Sequence, residues 1–119
     1  MKILVTDDSK IARKMVIKSL NSLLKNKEFE IIEAHNGEEA VELYTKDKPD
    51  LTFLDLTMTV MDGFEALEQI KKIDNNASVI IISADIQKNS IEKARELGAS
   101  NFIKKPIDSN KLSQIIENI

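Results

Sequence analysis

Three aspartates, one serine and one lysine stand where apolar runs give out: Asp7 and Asp8 after Ile3-Leu4-Val5, Asp55 after Leu51 to Leu54, Ser83 after Val79 to Ile82, and Lys105 after Phe102-Ile103. Brought into one crevice, three carboxylates repel one another and lose hydration, so they persist as anions only beside a cation. Mg²⁺ suits them best, with Mn²⁺ as a substitute, because it takes oxygen ligands, keeps several waters and is usually shared between one or two carboxylates and phosphate oxygens. Asp8 and Asp55 are the expected direct ligands, Asp7 is expected to act through water, and a backbone carbonyl near Thr57 fills a further position. An aspartate carboxylate can accept a phosphoryl group as an acyl phosphate, a transfer that demands positioning and charge neutralisation more than covalent help. Asp55 is the acceptor in this reading, with Lys105 and the Ser83 hydroxyl serving other phosphate oxygens. Taken singly, each residue has a structural reading: an Asp pair after a strand caps helices, and a lysine before proline is usually a solvated charge.

Whether these residues meet depends on the elements that carry them. Short apolar runs at Ile3 to Val5, Phe29 to Ile32, Leu51 to Leu54, Val79 to Ile82 and Phe102-Ile103 read as five strands. Between them lie helical spacings, clearest in Ala12, Met15, Val16, Leu20 and Leu23 and again in Leu112, Ile115, Ile116 and Ile119. Asn36 and Asp62 are placed to cap helices, each with a glutamate three residues on, and Gly98 suits a helix stop. Alternating strands and helices predict an α/β fold with a parallel sheet and right-handed crossovers. Val79 to Ile82 is apolar throughout, as a central strand should be, whereas charges flank the second and fifth runs, which marks them as edges. The predicted order is 2-1-3-4-5, doubly wound and flavodoxin-like, with helices on both faces. Ligands then gather at the carboxyl ends of the strands, near the reversal between strands one and three, where the acids lie.

Composition bounds the partners. A chain of 119 residues with 42% hydrophobic and 31% charged residues is expected to form a single domain spanning 1–119. A net charge of -3 and a pI near 5.2 offer no basic footprint for nucleic acid or anionic lipid. No apolar run approaches the ~20 residues of a membrane span. The absence of cysteine excludes disulfides and thiolate metal sites, and together with an apolar start that is unlike a signal peptide it predicts a cytoplasmic location. His35 and the methionines Met58 and Met61 read as a surface residue and packing residues.

Five blocks together resemble the response-regulator receiver domain of the single-domain chemotaxis type over essentially the whole chain. They are Ile3-Leu4-Val5-Thr6-Asp7-Asp8-Ser9 with Arg13; Glu33-Ala34 with Asn36-Gly37-Glu38-Glu39-Ala40; Leu54-Asp55-Leu56 with Met61-Asp62-Gly63; Ile82-Ser83-Ala84; and Gly98-Ala99 with Phe102-Ile103-Lys104-Lys105-Pro106. The resemblance implies that Asp55 takes a phosphoryl group from a phosphohistidine of a sensor histidine kinase, and that this receiver, no enzyme beyond its own phosphorylation and dephosphorylation, catalyses the step with Mg²⁺. It implies that Phe102 is an aromatic switch beside Ser83 and Lys105, remodelling the face of helix four, strand five and helix five, and that Thr57 and Asp85 tune the phosphate's lifetime. Thr59 stands where many relatives carry proline.

With no output domain expected after Ile119, the signal is expected to leave a monomer through a protein contact. The flagellar motor switch leads, and a phosphorelay histidine protein is the alternative; a phosphatase is a further partner. A haloacid-dehalogenase-type phosphatase would share the chemistry but puts its nucleophile after strand one with an acid two residues on, where this chain has Asp55 after strand three and Thr57. A flavodoxin-type flavin protein is disfavoured by Asp7-Asp8, which would repel its phosphate.

Overall fold

A computed structural model describes residues 1–58, 60–84 and 87–117. Strands and helices alternate: β1 Lys2–Thr6, α1 Lys10–Leu23, β2 Glu30–Ala34, α2 Gly37–Asp47, β3 Leu51–Asp55, α3 Gly63–Ile73, β4 Val79–Ser83, α4 Lys88–Glu96, β5 Asn101–Lys104 and α5 Ser109–Glu117. All neighbouring strands pair in parallel, in the order β2-β1-β3-β4-β5. Every residue of β3 and β4 is buried, while β2 and β5 keep exposed positions, which is the gradient expected between central and edge strands.

Each strand face feeds its own core. Ile3, Val5, Phe53, Ile80 and Ile82 point toward α1 and α5, meeting Val16, Leu20, Leu112 and Ile115. Leu4, Leu54 and Ile81 point the other way, to Ala40 and Tyr44 of α2, Leu67 and Ile70 of α3 and Ala94 of α4. Burying each large side chain in these layers contributes about 1.5–3 kcal/mol. None of the described helices is long and apolar enough to cross a membrane.

The caps sit where the residue types ask for them. Asn36 Oδ1 accepts the Glu39 amide at 2.8 Å and Asp62 Oδ1 accepts the Glu65 amide at 2.9 Å. Gly98, at φ 102°, takes the left-handed turn that ends α4 and that a side chain would resist. α4 is the least anchored helix: its N-cap Gln87 makes no side-chain cap bond, and Ala94 is its sole buried residue.

Three differences from the sequence reading have physical causes. β2 runs two residues beyond its apolar core because pairing with β1, from Lys2 with Glu30 to Thr6 with Ala34, sets its length. Met15 falls off the buried stripe of α1 and is 48% exposed, since the core takes Val16, Leu20 and Leu24, spaced by four. The apolar spacing that the sequence ends at Leu23 continues to Leu24, which is buried and whose amide donates to Leu20 O to close the helix. Ile119 lies outside the described residues.

Candidate functional site

The carboxyl ends of β1, β3, β4 and β5 converge as their order requires. Carboxylate oxygens of Asp7, Asp8 and Asp55 all lie within 4.8 Å of one another. Asp55, the last residue of β3, is 6% exposed and Asp7 4%, while Asp8 is exposed. Ser83 is buried at the end of β4, and its carbonyl accepts the Lys105 amide at 2.9 Å.

The two adjacent acids of β1 are held differently. Asp7 Oδ1 accepts the Ser9 amide at 2.9 Å and its Oδ2 accepts from Lys105 Nζ at 2.7 Å. Ser9 in turn is the N-cap of α1, accepting the Ala12 amide at 3.2 Å. Asp8 stands on the solvent side of the same cluster. Lys105 reaches between two carboxylates, with Asp55 Oδ1 at 3.6 Å from its Nζ.

Electrostatics match this crowding. Burial, then the Asp7 charge, push the Asp55 carboxyl up from 3.8 to about 6, with Asp8 adding to the rise; Lys105 and the Thr57 amide, which donates to Asp55, pull against it. Burial alone would lower Lys105, but its hydrogen bond to Asp7 and the charges of Asp55 and Asp7 outweigh that and hold the ammonium above its ordinary value. The result is a frustrated anionic cluster that a divalent cation would relieve. Its donors are all hard oxygens, the set that Mg²⁺ or Mn²⁺ prefers, so the residues fit such an ion.

The loop after β3 is packed against Asp55 itself. Gly63 donates its amide to Leu56 O at 3.0 Å, and a Cβ on Gly63 would run into the Asp55 carbonyl oxygen and come within 2.7 Å of Leu56 Cα. Here the glycine is needed for close approach, a role beyond its place in the Met61-Asp62-Gly63 motif after the Asp62 cap. Thr57 is exposed, Met58 and Met61 pack on the α2/α3 core, and His35 is a surface residue paired with Glu39 at 2.7 Å. Thr59 and Asp85 lie outside the described residues.

Phe102 lies on β5 opposite Ile81, half-buried against the α2/α3 core, with the Arg95 guanidinium 5.7 Å from its ring centroid. Around it Ile91, Arg95, Lys104, Asp108 and Lys111 line a groove of about 490 Å³ along α4, β5 and α5. Arg13, which in the sequence stands out only as part of a motif, also reaches the acids: its Nη1 donates to the Asp7 carbonyl at 2.8 Å and its Nε to Glu33 Oε1 at 3.0 Å.

The chain as a whole has known relatives. The chain is 40% identical over 118 residues to "Chemotaxis protein CheY" of Listeria monocytogenes, covering 98% of this chain and 96% of that protein. It is 34% identical over 116 residues to "Sporulation initiation phosphotransferase F" of Bacillus subtilis, covering 98% and 90%. The solved structure of the CheX-CheY-BeF3-Mg²⁺ complex from Borrelia burgdorferi contains a chain 36% identical that superposes with a TM-score of 0.84, covering 99% of this chain and 87% of that one. With residues 3–117 matching the response regulator receiver domain, this chain belongs to that family.

Proposed function

We propose that this receiver is a phosphorylation switch of two-component signalling, serving chemotaxis, in which Asp55 is the phosphoryl acceptor. The observation that carries the reading is Asp55 itself: a buried carboxylate at the end of a central strand, flanked by Asp7 and Asp8 and within 3.6 Å of the Lys105 ammonium. In the transfer, an Asp55 oxygen attacks phosphorus on a phosphohistidine of a sensor kinase. The P–N bond breaks with its electron pair staying on the imidazole, which takes up a proton, and a P–O bond forms to give the acyl phosphate. Lys105 stays charged and is placed to move from Asp55 Oδ1 to a phosphoryl oxygen, while Asp7 keeps it oriented. Ser83, at the end of the neighbouring strand, supplies a hydroxyl for another oxygen.

Asp8 and Asp55 are the residues that would hold Mg²⁺ directly, with Asp7 acting through water and the Thr57 carbonyl as a further ligand. Both Asp7 oxygens are already engaged, by Ser9 and Lys105, which supports the division between the two acids. Bound there, the ion supplies charge neutralisation for the acids and the transferring phosphoryl group.

The output face is that of α4, β5 and α5, with Phe102 as its aromatic switch. Light anchoring of α4 makes this the region where a small free energy can move structure. The recipient proposed is the flagellar motor switch. A second reading, a phosphorelay intermediate, draws support from the 34% identity to the sporulation phosphotransferase.

Incubation with acetyl phosphate and Mg²⁺ tests the acceptor. Mass spectrometry should show one phosphoryl adduct that is absent in Asp55→Asn. An adduct that persists in that variant sinks the assignment, and rapid turnover of many phosphate esters would instead indicate a phosphatase.

A further inference from the structure

Arg13 breaks a local rule. It lies in the first turns of α1, where the helix dipole is positive and favours acids, and the first turn of α1 carries none. Yet its side chain is only 14% exposed and is spent on two partners outside the helix. Nη1 donates to the backbone carbonyl of Asp7 at 2.8 Å, and Nε donates to Glu33 Oε1 at 3.0 Å on the edge strand β2. A cation held against its own helix dipole and tied down on a second strand calls for a reason beyond surface charge.

The contact to Asp7 supplies one. The Asp7 carbonyl and the Asp8 amide share one rigid peptide plane, so a charge-assisted bond that fixes the carbonyl fixes the direction in which Asp8 leaves the strand. Asp7 has other restraints: its amide donates to Ala34 O at 3.2 Å, and its carboxylate is held by Ser9 and Lys105. Asp8 is exposed, so packing does not orient it. The peptide plane sets the path on which Asp8 leaves the strand, and Arg13 grips that plane by its carbonyl while the Asp7 Oδ1 bond to the Ser9 amide closes the turn beyond it.

We infer that Arg13, anchored by Glu33, is a positioning residue for the divalent-cation site: it acts through the Asp7–Asp8 peptide and touches neither the ion nor the phosphoryl group. The inference rests on the cation reading above and deepens it. It also makes a prediction whose sign separates it from simple electrostatics. A positive charge near three carboxylates weakens cation binding, so if charge were all that mattered, removing Arg13 would tighten Mg²⁺. If Arg13 aims Asp8, removing it loosens Mg²⁺, and loss of such a supporting contact typically costs 10–100-fold in affinity.

The test is Mg²⁺ titration by calorimetry and Mn²⁺ titration by electron paramagnetic resonance on wild type, Arg13→Met, Arg13→Lys and Glu33→Gln. Affinity should fall about tenfold or more in Arg13→Met and less in Glu33→Gln, which keeps an acceptor for Arg13 but removes the charge that anchors it, with Arg13→Lys between wild type and Arg13→Met. The Mg²⁺ concentration for half-maximal acetyl phosphate labelling should rise in step, while the labelling rate at saturating Mg²⁺ returns toward wild type. An affinity in Arg13→Met that is unchanged or tighter overturns the inference. If Arg13→Met fails to fold, Arg13→Lys decides, because it keeps the charge and changes only the geometry, and unchanged affinity there overturns it equally. Failure of wild type to bind either ion would instead sink the cation reading on which the inference stands.

Discussion

Replacing Asp55 by asparagine keeps the shape of the side chain and removes one charge from a cluster in which Asp7, Asp8 and Asp55 oxygens lie within 4.8 Å. Burial, then repulsion from Asp7, raises the Asp55 carboxyl from 3.8 to about 6, which corresponds to about 3 kcal/mol of folding free energy spent to keep it ionised in the metal-free protein. The sign follows from the direction of the rise. Below about pH 3 the carboxyl is protonated in both folded and unfolded chains, so ionisation costs nothing. Between about pH 4 and 6 the unfolded chain ionises first, folding takes up a proton, and stability falls as pH rises; above about pH 7 the cost is complete. Asparagine does not titrate, so Asp55→Asn should match wild type near pH 3 and exceed it by about 3 kcal/mol at pH 7.5 in chelator.

At the entropy of unfolding usual for a domain of this size, that difference is about 12 °C in Tm. Thermal melts followed by circular dichroism at several pH values measure it directly. Mg²⁺ should narrow the gap at pH 7.5, because a ligand stabilises the state that binds it and the variant lacks one of the two proposed direct ligands. An Asp55→Asn variant no more stable than wild type at pH 7.5, or one whose advantage is the same at about pH 3, would refute the claim that Asp55 is the strained member of the cluster.

Two further substitutions probe how the site is held. Gly63→Ala should destabilise by about 1–3 kcal/mol, despite alanine's better helix propensity, because the new methyl meets the Asp55 carbonyl oxygen and the Leu56 backbone; urea unfolding reads the loss, and slower acetyl phosphate labelling should accompany it, whereas unchanged stability would deny the close contact. Arg95→Ala removes the guanidinium over Phe102, an interaction of about 0.5–1 kcal/mol, and should raise the equilibrium constant for the proposed inward ring position about two- to fivefold, read from the ring's NMR signals; a spectrum that does not move would exclude Arg95 as a restraint on the proposed aromatic switch.

The fold was open to sequence reading because its information is local and redundant. Val79 to Ile82 is apolar on both faces and Glu30 and Glu33 flank an apolar pair, so burial could be graded strand by strand before any contact was known. The strand ends then placed Asp7, Asp8, Asp55, Ser83 and Lys105 on one edge. What stayed hidden were distinctions between residues of the same type and contacts between distant ones. Met15 and Val16 are both apolar and adjacent, and only packing on β1 shows that one is 48% exposed and the other in the core. Asp7 and Asp8 are chemically identical neighbours; they part company because Lys105, 98 positions along the chain from Asp7, and the Ser9 amide occupy one and leave the other facing solvent. Gly63 reads as a turn residue until the Asp55 peptide is seen against it, and Arg13 reads as a helix-surface charge until its guanidinium is seen bridging Asp7 and Glu33. The clustering of these side chains could therefore be read from residue types at strand ends, whereas the way each is held depends on groups that are unremarkable in the sequence and acquire their meaning through a single folded contact.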